Sequence, residues 1–430
     1  MKIRRILILL SIFAYIDFLG LVNSENFLRI KNLFKFYDLL IIFIIFYTII
    51  YSIFRYENLK RVSNLPTGKY IKIILVFILI VVLSMPFRFG ESIISALKIA
   101  RYYFPFFLFF IVMIDIIETE SSQFIYNLIL SIGTILSIIF IVGLFLPNLI
   151  NTLIPNVGLV IQDTEHIELQ RYYTPGFLFP FASIFILNDI IIHEKNEYIP
   201  IHNKIIFFIN LIGCILQGFR AYIIIGIFSF MILFFIANKL DIKKYVKILF
   251  LTFLIIGFFN ILLFPGFLSN RISSGFSDLI HKKGTFEFRL VNDYFRFFLF
   301  EEHPIIGIGF IDANSDIGKN MGLEIAGEFS AYTTDSGYLT LLVSFGVLGT
   351  LFYTFILIRI FLRNISIVKD SESNARKYAI SSSMFMILLF FTIITHGGLY
   401  SPYGLVPLVL LLSISEGGYL LYTMNKVRIE

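Results

Sequence analysis

The sequence predicts an all-α polytopic membrane protein with about twelve transmembrane helices, and three observations lead to this fold class. Hydrophobic residues make up 58% of the 430-residue chain, and its mean hydropathy is +0.87. Charged residues account for only 15%, against about 25% in an ordinary soluble domain. Apolar runs of about 20 residues, the length that crosses a bilayer core, recur along the whole chain. We therefore expect residues 1–430 to form a single integral membrane domain.

The predicted helices are apolar runs bounded by polar, charged or glycine-containing segments. They cover residues 6–22, 37–54, 71–87, 96–117, 124–146, 174–192, 205–217, 220–237, 246–264, 336–358, 378–396 and 403–422. The apolar stretch 205–237 is too long for one span and is interrupted by Gln217-Gly218-Phe219-Arg220, so we expect a tight hairpin there. The basic start of the chain resembles a signal peptide, but no small-residue cleavage site follows, and we expect the first span to be retained.

Basic residues between the predicted spans indicate which side of the membrane each loop occupies. Lys and Arg concentrate in alternate segments, most strongly in Lys239–Lys247 and Arg359–Lys377, and this bias predicts that both termini are cytoplasmic. The segment Asp115–Gln123 is then also cytoplasmic, although it contains no Lys or Arg. Two long segments, Pro147–Tyr173 and residues 265–334, face the opposite side. The second of these, between the ninth and tenth spans, is the predicted large extracytoplasmic loop.

Composition also excludes several classes of function. The net charge is +6, but the basic residues are spread over short loops, so nucleic acid is not an expected partner. The single cysteine, Cys214, lies in an apolar run, which excludes a disulfide framework. The segment from Asp312 to Asp316 resembles the start of a calcium loop, but Leu323 stands where the closing acid is needed. The segment is therefore not predicted to bind calcium.

Arginines in the segments predicted to face outward are candidate anion ligands. Arg220 begins the eighth span at the hairpin tip, where helix N–H groups add positive potential. Arg171 precedes the sixth span, and Arg289 lies seven residues before Arg296 on one face of a predicted helix in the large loop. Arginine can bind a diphosphate with two parallel hydrogen bonds, so these outward arginines form a candidate diphosphate clamp. Each one alone is also explained as an interfacial or solvated cation.

Acidic and imidazole side chains on the same predicted side are candidates for proton transfer. Asp335 directly precedes the tenth span, where it either takes part in a reaction or caps the helix. Glu302 and His303 lie in the large loop, and His396 lies in a glycine-rich turn before the last span. These three residues are alternatives as a general base, and they are also explained as solvated loop residues.

Three motifs resemble those of a known family. His303-Pro304-Ile305-Ile306-Gly307-Ile308-Gly309 resembles one element of the bacterial O-antigen polymerase and O-antigen ligase superfamily. Asp335-Ser336-Gly337-Tyr338-Leu339, followed by Gly346-Val347-Leu348-Gly349, resembles its second element. Gly218-Phe219-Arg220-Ala221 resembles the start of a central span with an important arginine, and Arg289 lies where the family often has another. Ligases of this family typically have a histidine at the position of Asp335, so the resemblance favours the polymerases.

The resemblance implies a GT-C-like fold and a membrane glycosyltransferase that uses no nucleotide sugar, no metal and no cofactor. Its expected location is the bacterial cytoplasmic (inner) membrane, and its expected partners are undecaprenyl-diphosphate-linked glycan donor and acceptor, a flippase and a chain-length regulator. Arg220 and Asp335 are the implied catalytic residues. The implied substrate-binding residues are Arg171, Arg289, His303, Tyr338 and His396. Two alternatives stay open: a ligase-type transferase, and a flippase or other transporter, for which ionisable residues at mid-membrane and paired broken helices are expected.

Overall fold

Helices account for nearly all of the regular structure in the computed structural model. The described residues are 2–15, 56–146, 158–164, 167–173, 178–187, 200–216, 285–312, 315–321, 337–371, 374–393 and 402–429, with single positions 43, 46–47, 50, 225–226, 229, 323 and 399. Their helices are α1 (Lys2–Tyr15), α2 (Tyr56–Asn64), α3 (Pro66–Phe89), α4 (Ile93–Ala100), α5 (Phe106–Thr119), α6 (Gln123–Phe145), α7 (Phe179–Ile186), α8 (Ile201–Leu216), α9 (Thr285–Glu302), α10 (Asp316–Asn320), α11 (Gly337–Asp370), α12 (Asn374–Thr392) and α13 (Pro402–Ile429).

Among the described residues, four helices are long and apolar enough to cross a membrane, namely α3, α6, α11 and α13. A fifth candidate is the pair α4 and α5, which is bent by 53° at a short break. Pro105 lies at this break and explains it, because proline lacks the backbone donor that a continuous helix needs. These five candidates coincide with the predicted third, fourth, fifth, tenth and twelfth spans. A total of twelve spans and a GT-C-like arrangement stay predictions.

One segment departs from the all-α prediction. Strands β1 (Gly158–Thr164) and β2 (Ile167–Tyr173) form an antiparallel hairpin within the segment predicted as an outer loop. Apolar and polar residues alternate at the start of β2, a pattern typical of a strand. Arg171 lies on β2 opposite Val160. The hairpin therefore gives Arg171 a fixed backbone position that the sequence analysis did not predict.

Helix α13 lies at the centre of the described bundle and packs against α5, α11 and α12. Its residues from Leu405 to Ile414 are buried on every side, as expected for an apolar helix surrounded by other helices. Small residues bring neighbouring helices together around it. Gly133 of α6 lies against α7, and Gly213 of α8 lies against Ser137 of α6, contacts that are typical of helix packing in membranes.

Ion pairs connect the start of α1 to the end of α5. Arg4 Nε lies 3.1 Å from Asp115 Oδ1, and Arg4 Nη2 lies 2.7 Å from Glu118 Oε2. Arg5 Nε lies 3.2 Å from Asp115 Oδ2. Asp115 is fully buried, so these contacts offset the cost of removing its carboxylate from water. The N-terminus thus supplies the cations that the Asp115–Gln123 segment lacks. Both segments lie on the same side of the bundle, and we name this side the Arg4 face.

A second buried ion pair lies on the Arg4 face. Arg363 of α11 donates to both carboxylate oxygens of Glu416 in α13, at 2.7 and 3.2 Å. Thr67, in the first turn of α3, donates to the same carboxylate at 2.5 Å. Asn58 of α2 donates to Glu118 at 3.3 Å, which places both ion pairs at the same end of the bundle. Segments that the charge pattern assigns to one side therefore lie together.

Reporter fusions along the chain are expected to identify the Arg4 face as cytoplasmic. The expectation follows from the excess of Lys and Arg in the segments on that side. A fusion after residue 370, just beyond α11, should give a cytoplasmic signal, and a fusion after residue 300, within α9, should give an extracytoplasmic one. The reverse pattern would contradict the predicted topology and the outward position of the large loop.

Candidate functional site

The large loop returns to the bundle through residues 304–309, which pack into a break in α11. The helical backbone of α11 is interrupted at Gly346, where φ is 64° and ψ is −174°. Residues 304–306 form a turn after α9, and residues 307–309 continue into this break without regular structure. The two sequence elements that resemble the polymerase and ligase superfamily are therefore in direct contact. We name residues 304–309 the inserted loop.

The inserted loop accepts hydrogen bonds from amides that the break would leave unpaired. In an unbroken helix each amide donates to the carbonyl four residues earlier. Beyond the break, the amide of Val347 instead donates to the carbonyl of Pro304 at 2.8 Å. The amide of Leu348 donates to the carbonyl of Ile305 at 3.2 Å.

The same loop also donates hydrogen bonds to the two carbonyls that those amides would bond in an unbroken helix. The amide of Ile308 donates to Val343 O at 2.8 Å, and the amide of Gly309 donates to Ser344 O at 2.9 Å. These four backbone groups, two on each side of the break, are thus hydrogen-bonded to residues 304–309. A break of this kind inside a membrane protein would otherwise cost several kcal/mol for each unpaired group.

Two glycines make the close approach of loop and helix possible. Gly307 has a φ of 70°, and a Cβ there would lie 2.5 Å from Gly346 N and 2.5 Å from Val343 O. A Cβ on Gly346 would overlap the carbonyl group of Ile305. The φ and ψ of Gly346 also fall in a region that is accessible essentially to glycine alone. Both motif glycines are therefore required by backbone geometry.

Three aromatic rings pack beneath the break. The ring centroids of Phe310 and Phe345 are 5.6 Å apart, those of Tyr103 and Phe345 are 5.7 Å apart, and those of Tyr103 and Phe310 are 5.8 Å apart. Tilted and edge-on rings at these distances attract one another beyond the effect of their buried area. Tyr103 lies in the turn between α4 and α5, so the bent helix pair supports the inserted loop from below.

Arg88 binds the inserted loop directly, a contact that was not predicted from the sequence. Its Nη2 donates to the carbonyl of Gly307, and its guanidinium lies 5.0 Å from the ring centroid of Phe89. The ring of Phe89 in turn meets the ring of His303 edge-on, at 5.3 Å between centroids. In the sequence, Arg88 was recognisable as a single cation at the outer end of the third predicted span.

Two further polar contacts join α4 and the connection before it to the large loop. Glu91 is buried and accepts a hydrogen bond of 2.7 Å from the hydroxyl of Ser315, which also caps α10. Lys98 Nζ lies 3.5 Å from Asp312 Oδ2. Asp312 and Ser315 are thus engaged in protein contacts. Among the described residues, no group of three or more His, Cys, Asp or Glu side chains could hold a metal ion.

The structure describes four of the seven predicted site residues. Arg171 lies on β2 and Arg289 lies in the first half of α9, both defined here by backbone position. His303 is partly buried and immediately precedes the inserted loop. Tyr338 lies in the first turn of α11, is 40% exposed, and donates to Phe390 O at 3.3 Å. The other three, Asp335, Arg220 and His396, lie outside the described residues.

Arg296 corrects one part of the sequence analysis. The spacing of Arg289 and Arg296 suggested that both are outward cations on one face of a helix. Arg296 is fully buried and is among the largest fully buried side chains of the described residues. Tyr294, two residues earlier on α9, is 77% exposed. Arg296 therefore cannot serve as a solvated member of an outward clamp.

Replacing Arg88 by methionine should destabilise the protein by about 1–2 kcal/mol, because the Gly307 carbonyl loses a charged donor. Lys98→Met is the matched control, since its ion pair with Asp312 is partly exposed and such pairs contribute about 1 kcal/mol or less. The midpoint of unfolding in a denaturing detergent, measured for both variants, would compare the two effects. Equal midpoints for the two variants would contradict the assigned role of Arg88.

No protein-family model matches this chain, and no curated protein matches it. The resemblance to the O-antigen polymerase and ligase superfamily therefore depends on the sequence motifs alone.

Proposed function

We propose that the protein is a polymerase that joins undecaprenyl-diphosphate-linked oligosaccharide repeat units into a surface polysaccharide at the outer face of the cytoplasmic membrane. The observation that carries the proposal is the contact between the inserted loop and the break in α11. Two motifs that resemble the polymerases, 37 residues apart between Gly309 and Gly346, form one backbone-paired unit. Geometry accounts for Gly307 and Gly346, one glycine from each motif, which is expected if the pair supports a common site.

The surface next to the inserted loop suits an amphiphilic anion. Arg88 supplies a cation, and His303 lies beside it across the ring of Phe89. Phe87 is 91% exposed, and Ile305 and Ile306 are 60% and 58% exposed. A lipid diphosphate combines an anionic group with a hydrocarbon chain, so a cation beside exposed apolar side chains is the appropriate combination.

The proposed reaction is a displacement at the anomeric carbon of the donor glycan. An acceptor hydroxyl attacks that carbon, its proton passes to a base, and undecaprenyl diphosphate leaves with the bonding electrons. Arg220, with Arg171 and Arg289, would bind the diphosphate and stabilise the charge that develops on it. Asp335 would accept the proton or orient the hydroxyl, with Glu302, His303 and His396 as alternatives. Sugar rings could stack on Tyr338, which is partly exposed.

The hydrogen bonding of the break favours an enzyme over a transporter. In transporters, the backbone groups released by a broken helix bind the substrate or the coupling ion. Here the carbonyls of Val343 and Ser344 and the amides of Val347 and Leu348 are already paired with the inserted loop. They are therefore not available as ligands, and the break supports the structure of the loop.

Chain extension by the purified protein would test the proposal. A lipid-linked repeat unit, offered as both donor and acceptor, should yield a ladder of longer lipid-linked glycans. A ligase would instead transfer the glycan once to a different acceptor lipid. A transporter would move a labelled lipid-linked unit across a vesicle membrane without forming a glycosidic bond. Either of the last two results would exclude the polymerase.

Arg220→Lys should reduce chain extension about tenfold, which corresponds to about 1.4 kcal/mol. Lysine keeps the positive charge but lacks the planar fork that binds a diphosphate through two hydrogen bonds. The rate of extension and the distribution of chain lengths are measured at matched protein level, with Lys98→Arg as a control cation on the same side. Normal chain lengths from both Arg220→Lys and Arg220→Ala would mean that Arg220 is only an interfacial anchor.

A further inference from the structure

A cavity of about 680 Å³ lies between α6, α8 and α12. It opens on the Arg4 face, because Arg5 lies 4.6 Å above the ring of Phe124, next to the lining residue Gln123. The inserted loop is at the opposite end of the bundle. The volume falls within the range of small-molecule pockets, roughly 300–1,000 Å³. The cavity is therefore large enough for a ligand and separate from the candidate site.

The charges around the cavity favour an anion. Lys377 and His202 line it, whereas no Asp or Glu occurs among the described lining residues. Gln123, His202 and Asn374 each lie in the first turn of a helix. The first turn of a helix carries the positive end of the helix dipole, so three such turns reinforce the field of Lys377.

Neutral hydrogen-bonding groups form one wall of the cavity. Asn127, Ser131 and Thr134 follow one another along the same face of α6. Asn210 of α8 donates to the Thr134 hydroxyl oxygen at 3.1 Å. This contact occupies an acceptor position of Thr134 and leaves its hydroxyl proton to donate to a ligand. The wall is thus suited to a ligand rich in acceptor oxygens.

Apolar surface continues from the cavity along the outside of the bundle. Ile135 lines the cavity and is 44% exposed, and Ile138, one turn further along α6, is 43% exposed. Ile205 and Phe208 of α8 are 53% and 39% exposed. In a membrane these side chains contact hydrocarbon, so a molecule with its polar end in the cavity can lay its acyl chains on them.

We propose that this cavity binds the headgroup of an anionic phospholipid from the leaflet on the Arg4 face. The phosphate lies near Lys377 and His202, and the glycerol oxygens face Asn127, Ser131 and Thr134. Basic pockets between transmembrane helices recognise lipid headgroups by this combination of charge and shape. The site is independent of the polymerase proposal, since it shares no residue with the inserted loop.

Native mass spectrometry of the purified full-length protein would test this site. The probes are phosphatidylglycerol, phosphatidylcholine and inorganic phosphate. We expect phosphatidylglycerol to bind about tenfold more tightly than phosphatidylcholine. Lys377→Gln should lower its affinity about tenfold. Lys69→Gln is the matched control, because Lys69 lies near the same end of the bundle in α3 and does not line the cavity.

The outcomes separate a lipid site from a free-phosphate site and from a general effect of charge. Ser131→Leu fills the cavity without changing charge and should also weaken phosphatidylglycerol binding, which keeps the test valid if Lys377→Gln does not fold. Equal binding of the two lipids would overturn the proposal. So would displacement of the lipid by inorganic phosphate at equal concentration, because the site would then select free phosphate. An equal loss of affinity in Lys69→Gln would indicate a general charge effect and would also overturn it.

Discussion

Gly346→Ala is expected to abolish polymer formation and to destabilise the protein by about 3 kcal/mol or more. Two effects add at this position. The φ of 64° and ψ of −174° are accessible essentially to glycine, and an added Cβ would overlap the carbonyl group of Ile305. The inserted loop would have to leave the break, which would leave the amides of Val347 and Leu348 unpaired. Unpaired amides inside a membrane protein are costly, so local unfolding should extend beyond the site.

Gly90→Ala separates backbone strain from steric overlap. Gly90 has a φ of 73°, but a Cβ there would meet only Ile317 Cδ1, at 3.9 Å. This control should lose about 1–2 kcal/mol, the cost of a left-handed backbone at a non-glycine residue. The fraction of protein that stays monodisperse after heating, measured for both variants, gives the comparison. If Gly346→Ala is no less stable than Gly90→Ala, the inserted loop does not occupy the break.

Hydropathy predicted the helices of the described bundle better than it predicted their ends and bends. The apolar runs at 71–87 and 124–146 correspond closely to α3 and α6. Helix α11 extends to Asp370, twelve residues beyond its predicted end at 358, because its last turns are amphipathic and pack on α12. The bend at Pro105 and the β1–β2 hairpin depend on local backbone chemistry that a hydropathy profile does not contain.

The candidate site was predicted in part. The motifs identified Gly307 and Gly346 as important positions, but their mutual contact is a long-range backbone pairing that no local pattern encodes. Arg88 was missed because it is a single cation in a short connection, and its partner Gly307 is 219 residues away in the chain. Arg296 was interpreted as outward because helical spacing assigns a face but not what covers that face.

Asp335→Asn is expected to reduce chain extension by about 10²–10⁴-fold, the usual contribution of a general base. Asparagine keeps the size of the side chain and remains a good helix N-cap, but it cannot accept the proton of the acceptor hydroxyl. Helix α11 begins at Gly337, two residues after Asp335, and the amide of Gly337 donates to Ile393 O at 2.8 Å. In the sequence, Thr334 and Ser336 are as suitable as Asp335 to cap this helix.

The capping alternative for Asp335 predicts the opposite result. Asparagine would then be close to wild type in activity, and alanine would lose about 1 kcal/mol of stability with little change in the rate of extension. Extension of a lipid-linked repeat unit is measured for the Asn and Ala variants at matched protein level, beside Ser336→Ala as the control for capping. A catalytic Asp335 gives two slow variants and a Ser336→Ala protein of normal rate. Normal polymer from Asp335→Asn would assign proton transfer to Glu302, His303 or His396, the alternative bases that the sequence predicts on the outer side.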